Sequence, residues 1–152
     1  MRAPHVANRI SDWTKQIGFV PSGGLLAALL RGEAIKEEIF RSEDLLSTRE
    51  MADRLGVPVE TVRRWRRQSH LLGLPRRGRG YLYPSWQIVD QRPLPRLVAI
   101  GGYFNFDPWA IYLFLTETLE ALNDETPLAA ILAGRTDLII GMAAGIAEGG
   151  VL

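Results

Sequence analysis

At 152 residues the chain has room for one compact domain or two small ones sharing a core, and 47% hydrophobic with 23% charged residues describes an ordinary folded protein. With no cysteine and only His5 and His70 as imidazoles, a disulfide framework, a thiolate nucleophile and a cysteine or histidine metal site are all excluded or disfavoured. The net charge of +1 conceals a division: residues 1–46 hold six basic and six acidic side chains, residues 47–96 eleven and four, and residues 97–152 one and seven. A basic middle beside an acidic tail predicts two surfaces with different partners, one of them a polyanion.

Arg2, Arg9 and Asp12 interrupt the N-terminus, so it does not read as a signal peptide. The longest apolar stretches are broken by Asn105, Asp107 and Pro108, or by Arg135 and Asp137, before they reach the ~20 residues of a membrane span. A cytoplasmic protein with no membrane partner is the expectation. Val6, Ile10, Trp13 and Ile17 recur at helical spacing, and Gly18, Pro21, Gly23 and Gly24 end that segment. A second helix is predicted from about Leu25 to Phe40, with Leu25, Leu29, Ile35 and Ile39 on one stripe and Lys36, Glu37 and Arg41 outward. Packing or dimer support is the role expected of both.

The pattern sharpens at Ser47. Ser47-Thr48-Arg49-Glu50 has the form of a capping box, predicting a helix from Thr48 to Leu55 that Gly56 stops in a left-handed conformation. Pro58 suits the first turn of a second helix, expected to run to about Ser69, with Val62 and Trp65 on one face and Arg63, Arg64, Arg66 and Arg67 around the other. Two short helices joined by a tight glycine turn make a helix-turn-helix unit. LPRRGRGYLY, from Leu74 to Tyr83, reads as a β-hairpin or wing. Trp65, Tyr81, Tyr83 and Trp86 could stack on unpaired bases, but Trp65 falls on the apolar stripe of the second helix and Trp86 opens the segment leaving the wing, places that favour packing.

Pro84, Pro93 and Pro95 mark a connection into the third region. Asp107-Pro108 is a good cap and first-turn pair for a helix expected to reach about Leu122; Thr126-Pro127 starts a two-turn helix stopped by Gly134; Thr136 or Asp137 caps a last helix, about Leu138 to Glu148. Ile111, Leu115, Leu119 and Leu122 form one stripe, yet Trp109, Tyr112, Leu113 and Phe114 make the first two turns apolar nearly all round. LIIGMAAGIA in the last helix carries no charge, and Gly141 and Gly145 would permit close approach of another backbone. Helices of this kind are either central or covered by a partner.

Two resemblances follow from these residues. TREMADRLGVPVETVRRW, residues 48–65, resembles the MerR-like and Xre-like DNA-binding families, with Ala52, Gly56, Val62 and Trp65 at the signature spacing and Pro58 where such proteins often carry a serine cap. FDPWAIYLFLTETLEALNDETPLAAILAGRTDLIIGMAAG, residues 106–145, together with YPSWQI at 83–88, looks like the toxin-binding part of Xre/MbcA/ParS-type antitoxins. The first implies that the second helix lies in the major groove, with Glu60, Thr61, Arg63, Arg64 and Arg67 as candidate DNA contacts and Arg76, Arg77 and Arg79 on phosphates or a minor groove. The alternative for those arginines is a solvated face.

The second resemblance implies a type II antitoxin that silences a cognate toxin, commonly of the RES type, which consumes NAD or transfers ADP-ribose, and that represses its own operon through operator DNA. Trp109, Thr126, Pro127, Leu128, Gly134 and Arg135 match that domain's motif. Toxin contact is expected at Trp109, Arg135, Gly141, Ala144, Gly145 and Leu152, although Trp109, Leu128 and Gly134 are better read as building the domain. No GxSxG, P-loop or HExxH motif occurs, and Glu117 and Glu120 read as a solubilising helix edge, so no enzyme and no cofactor are expected.

The expected architecture is mainly α: an N-terminal helical segment (1–46), a winged helix-turn-helix with a short β-hairpin (47–96) and a helical toxin-binding domain (97–152). Operator symmetry favours at least a homodimer. The rival readings are a MerR-like transcription regulator whose tail only dimerises, and an adaptor that does not bind DNA.

Overall fold

The computed structural model describes residues 33–41 and 44–149. The helix expected around Val6–Ile17, the start of the one expected from Leu25, and Leu152 lie outside the described residues. The architecture is mainly α with a small antiparallel sheet. The elements are α1 (Glu33–Phe40), β1 (Leu45–Leu46), α2 (Thr48–Leu55), α3 (Val59–Arg67), β2 (Leu74–Arg76), β3 (Gly80–Pro84), β4 (Ile88–Val89), β5 (Arg92–Pro93), α4 (Leu97–Gly102), α5 (Pro108–Thr116), α6 (Pro127–Leu132) and α7 (Thr136–Ala147).

Local chemistry accounts for the first helices. Ser47 Oγ accepts from the Glu50 amide at 3.1 Å and Glu50 Oε1 accepts from the Ser47 amide at 2.8 Å, which closes the capping box of α2. The Ser47 backbone amide foremost, and then the Ser47 hydroxyl, hold the Glu50 carboxyl below its ordinary pKa. At the other end Gly56 sits at φ 69°, and the Val57 amide donates to the Ala52 carbonyl at 3.1 Å, the closing bond of a Schellman turn. Pro58 differs from expectation: its ψ of 154° is extended, so it is the cap residue and α3 begins one residue later, while its carbonyl accepts from the Thr61 and Val62 amides. α3 ends at Arg67, short of Ser69, which adopts φ 65° and turns the chain back so that the His70 amide donates to the Trp65 carbonyl.

The wing is a three-stranded sheet of order β1-β3-β2. Leu74 faces Leu82 and Arg76 faces Gly80 across the hairpin, while Leu46 pairs with Tyr83 on the other side of β3. β1, which is two residues long, was not expected, nor were the β4–β5 hairpin and α4 that occupy the proline-marked connection.

α5 stops at Thr116, well before Leu122. Thr116 Oγ1 donates back to the Tyr112 carbonyl at 2.7 Å, Glu117 turns extended, and a bridge between Leu119 and Glu125 closes a 3-10 turn over Glu120–Leu122. Beyond the break Leu122 is buried. Glu117 therefore stands at the end of a helix and not on an exposed edge, with Oε1 buried. α7 begins at Thr136 with Arg135 as the cap residue, so neither Thr136 nor Asp137 caps it through its side chain.

Apolar residues collect in two adjoining clusters. One, under the helix-turn-helix, holds Met51, Ala52, Leu55, Val62, Leu71 and Tyr83. The other gathers Ile39 of α1, Leu72 and Leu74 at the start of the wing, Ile100 of α4, and all of Trp109–Leu115 with Ile131 and Ile139. α5, apolar all round, is thus the central element, surrounded by parts of the chain itself. Trp109 meets Phe40 edge-on at 5.5 Å, and the ammonium of Lys36, expected to face outward, lies 5.4 Å from the same ring.

The Tyr112 hydroxyl is buried in this core, and loss of solvation, reinforced by the Asp44 carboxylate, raises its pKa to about 12 from 10. The unfolded chain would ionise Tyr112 first, so its contribution to stability is complete below pH 10 and is lost as the pH rises toward 12. Urea unfolding across pH 9–12 should show wild type losing, between pH 10 and 12, up to about 1.4 kcal/mol per pH unit beyond the loss in Tyr112→Phe. Parallel curves for the two proteins would contradict the burial of an ionisable hydroxyl.

Candidate nucleic-acid interface

α3 sorts its residues by face. Val62 is fully buried, with Val59 and Trp65 packed beside it on the helix-turn-helix cluster. Glu60, Arg63, Arg64 and Arg67 are exposed at positions i, i+3, i+4 and i+7, one continuous outward stripe. Thr61 is half-buried at its margin. Within the stripe Arg63 donates to Glu60 Oε2 at 2.5 Å, one turn apart, an exposed pair that screens little of the cationic surface. Arg64 and Arg67 complete the stripe toward the C-terminal end.

Arg66 does not belong to it. Four residues after Val62, it falls on the inward side, and its guanidinium carbon lies 3.8 Å from the centre of the Tyr81 ring on β3. Its stem runs over Gly73, where a Cβ would stand 2.8 Å from Arg66 Cδ. The four arginines expected around α3 therefore divide into three that face outward and one that joins the helix to the wing. The spacing from Val62 was the signal for this.

At the wing, the Arg79 amide donates to the Arg76 carbonyl at 3.0 Å across the hairpin turn, with Gly78 at φ 69° inside it. Arg77 and Arg79 project from the turn, exposed, whereas Arg76 is half-buried and its Nε is enclosed. The arginines of α3 and those of the hairpin thus form two basic clusters joined through the Arg66–Tyr81 contact.

One residue that fixes this arrangement was missed. Gln87 is fully buried in the turn after β3; its Oε1 accepts from the Leu72 amide at 2.7 Å, and its Nε2 donates to the carbonyls of Leu72 at 2.8 Å and Pro84 at 3.1 Å. The Gln87 carbonyl accepts from the Leu94 amide at 2.7 Å. A glutamine inside the apolar run YPSWQIV was the available signal.

Residues 45–90 match the family model of a helix-turn-helix domain. The match covers α2, α3, the wing and the buried Gln87, and supports a DNA-binding role for this part of the chain. No curated protein and no solved structure matches the chain.

The residues expected at a toxin interface are dispersed. Trp109 is in the core, 4% exposed, so its side chain is spent on packing. Arg135 is exposed and donates to Glu125 Oε1 at 2.7 Å. Gly141 is exposed with open space where a Cβ would stand, Ala144 and Gly145 are half-buried, and Leu132 and Leu138 are among the exposed large apolar side chains of the described residues. Among the described residues no helix is long and apolar enough to cross a membrane, and no cluster of histidine and carboxylate side chains could hold a metal ion.

Arg63→Ala or Arg67→Ala should weaken specific DNA binding by about 1–3 kcal/mol where a base contact is lost. Arg77→Ala or Arg79→Ala should weaken binding to all sequences alike and reduce the salt slope by about one each. Gel-shift titrations at several salt concentrations measure both, and unaltered affinity in all four variants would contradict the interface.

Proposed function

We propose that the chain is the antitoxin of a type II toxin–antitoxin pair: it binds and neutralises a cognate toxin, of the RES type, and represses its own operon in the cytoplasm by holding operator DNA with α3 and the wing. It acts by binding and catalyses no reaction. The observation that carries the DNA half is the outward stripe of Glu60, Arg63, Arg64 and Arg67 on the second helix of a helix-turn-helix domain. Arginine in such a stripe can meet guanine O6 and N7 with both guanidinium donors, while the wing arginines set register on phosphates.

The toxin half is supported by the motif order in residues 106–145 and by the surface of α6 and α7. Leu132 is 54% and Leu138 48% exposed, and α7 buries only Ile139 and Ala143 along its length. An apolar helix face without cover in an acidic region fits a partner protein and not a polyanion. Trp109 packs in the core, which leaves Arg135, Gly141, Ala144 and Gly145 among the expected contacts, with exposed Leu132 and Leu138 beside them.

Since Leu72 and Leu74, at the base of the reading head (the helix-turn-helix and its wing), pack in the core of the helical region, removing the tail would expose them, so surface substitutions make the better test. Leu132→Glu with Leu138→Glu should leave the fold and operator binding intact and abolish rescue of cells expressing the neighbouring toxin. Retained rescue, or a variant that falls to monomers and loses operator affinity while still neutralising, would favour the dimerising regulator and overturn the antitoxin reading.

A further inference from the structure

Between the C-terminal end of α3 and the helices α4 and α5 lies a cleft of about 290 Å³, at the small end of ligand sites. One wall is apolar, made by Leu72, Leu97, Phe106 and Ile111; the other carries Arg66, Arg67, Ser69 and Tyr81. No carboxylate is found among its described lining residues. Phe106 is 49% exposed, so one side of the apolar wall is open.

Arg66 is the informative member. Its stem runs against Gly73 and its guanidinium lies over the Tyr81 ring, which fixes the side chain in the cleft wall. As a residue of the cleft wall Arg66 offers its guanidinium charge to an anion, which would gain a charge-assisted bond there. Arg67 supplies a second positive charge and Ser69 a hydroxyl. A carboxylate head against the two guanidinium groups, with a flat apolar body toward Phe106 and Ile111, satisfies both walls.

We propose that this cleft binds a small aromatic carboxylate, and that its occupation weakens DNA binding. The second clause rests on the proposed DNA role of α3: Arg67 belongs to both the cleft and the outward stripe, so an anion in the cleft neutralises a charge the DNA would use. Because Arg66 also ties α3 to β3, the ligand acts where helix and wing are joined.

The probe is 2-naphthoate, with 2-naphthalenemethanol as its uncharged counterpart and acetate as the charge without the body. Titrated into the full chain and followed by NMR, 2-naphthoate should shift Gly73, Tyr81 and Phe106 with Kd on the order of 1 mM or tighter. The alcohol and acetate should each bind about tenfold weaker or less well. Arg66→Met, which keeps the stem, and Gly73→Ala, which displaces it, should both reduce binding. Saturating 2-naphthoate should then weaken operator binding about tenfold at constant ionic strength, with acetate at the same concentration as control. Equal binding of acid and alcohol, shifts outside the cleft, or no binding at all would overturn the site; binding without an effect on DNA would overturn the coupling. A protein that binds 2-naphthoate but no DNA under any condition would refute the proposed function and leave the site standing.

Discussion

A single buried amide carries the geometry of this molecule. Gln87 meets both the N–H and the C=O of Leu72, and it reaches the Pro84 carbonyl as well. Leu72 lies in neither helix nor strand, so no ladder is there to satisfy its backbone. It must nevertheless be buried, because Leu71 belongs to the core of the reading head and Leu72 to the core of the helical region. Without the glutamine, the crossing point between the two cores would leave two main-chain groups without partners, each worth roughly 1–3 kcal/mol in a dry interior.

The position of α3 follows from this crossing. Its C-terminal residues are tied to Gly73 and Tyr81 through Arg66, and the Gly73 backbone is placed by the clamped Leu72 beside it. Leu74 then starts β2 from inside the larger core, so the wing grows out of the same buried anchor. The outward arginines of α3 and those of the hairpin keep a set relation because both are attached to one rigid point. Farther along, the Arg96 guanidinium pairs with Asp137, which joins the start of α4 to the first turn of α7. The reading head and the tail are packed as neighbours within one body of contacts, not as beads on a linker.

What could be read from the sequence was what depends on near neighbours. The capping box at Ser47, the left-handed Gly56, the Asp107-Pro108 start and the Thr126-Pro127 start each need only a few adjacent residues, and each forms where expected. The mainly α fold with a hairpin after the second helix followed from those signals. The β4–β5 hairpin and the early end of α5 rest on near neighbours, but on turn and bridge bonds that a periodicity pattern does not encode. Gln87 and β1 depend on distant partners, and periodicity carries no trace of them. The same holds for Lys36, drawn onto Trp109 from across the core, and for the apolar girdle of α5, which is covered largely by α1, α4 and α6 in place of a second protein. Of the candidate DNA contacts, the exposed stripe was legible because helical spacing alone defines it. The exposure of Leu138 and the burial of Trp109 were not, since both are decided by packing.

A buried clamp at Leu72 holds the reading head, and hydrogen exchange at the Leu72 amide tests this most directly. This amide lies outside regular structure and donates to Gln87 at 2.7 Å. It should exchange as slowly as the amides of Leu115 and Ile139 in the core, only when the whole molecule unfolds. Exchange at the rate of the exposed wing-turn amides around Arg77 would show that the crossing point opens by itself, and would contradict the account.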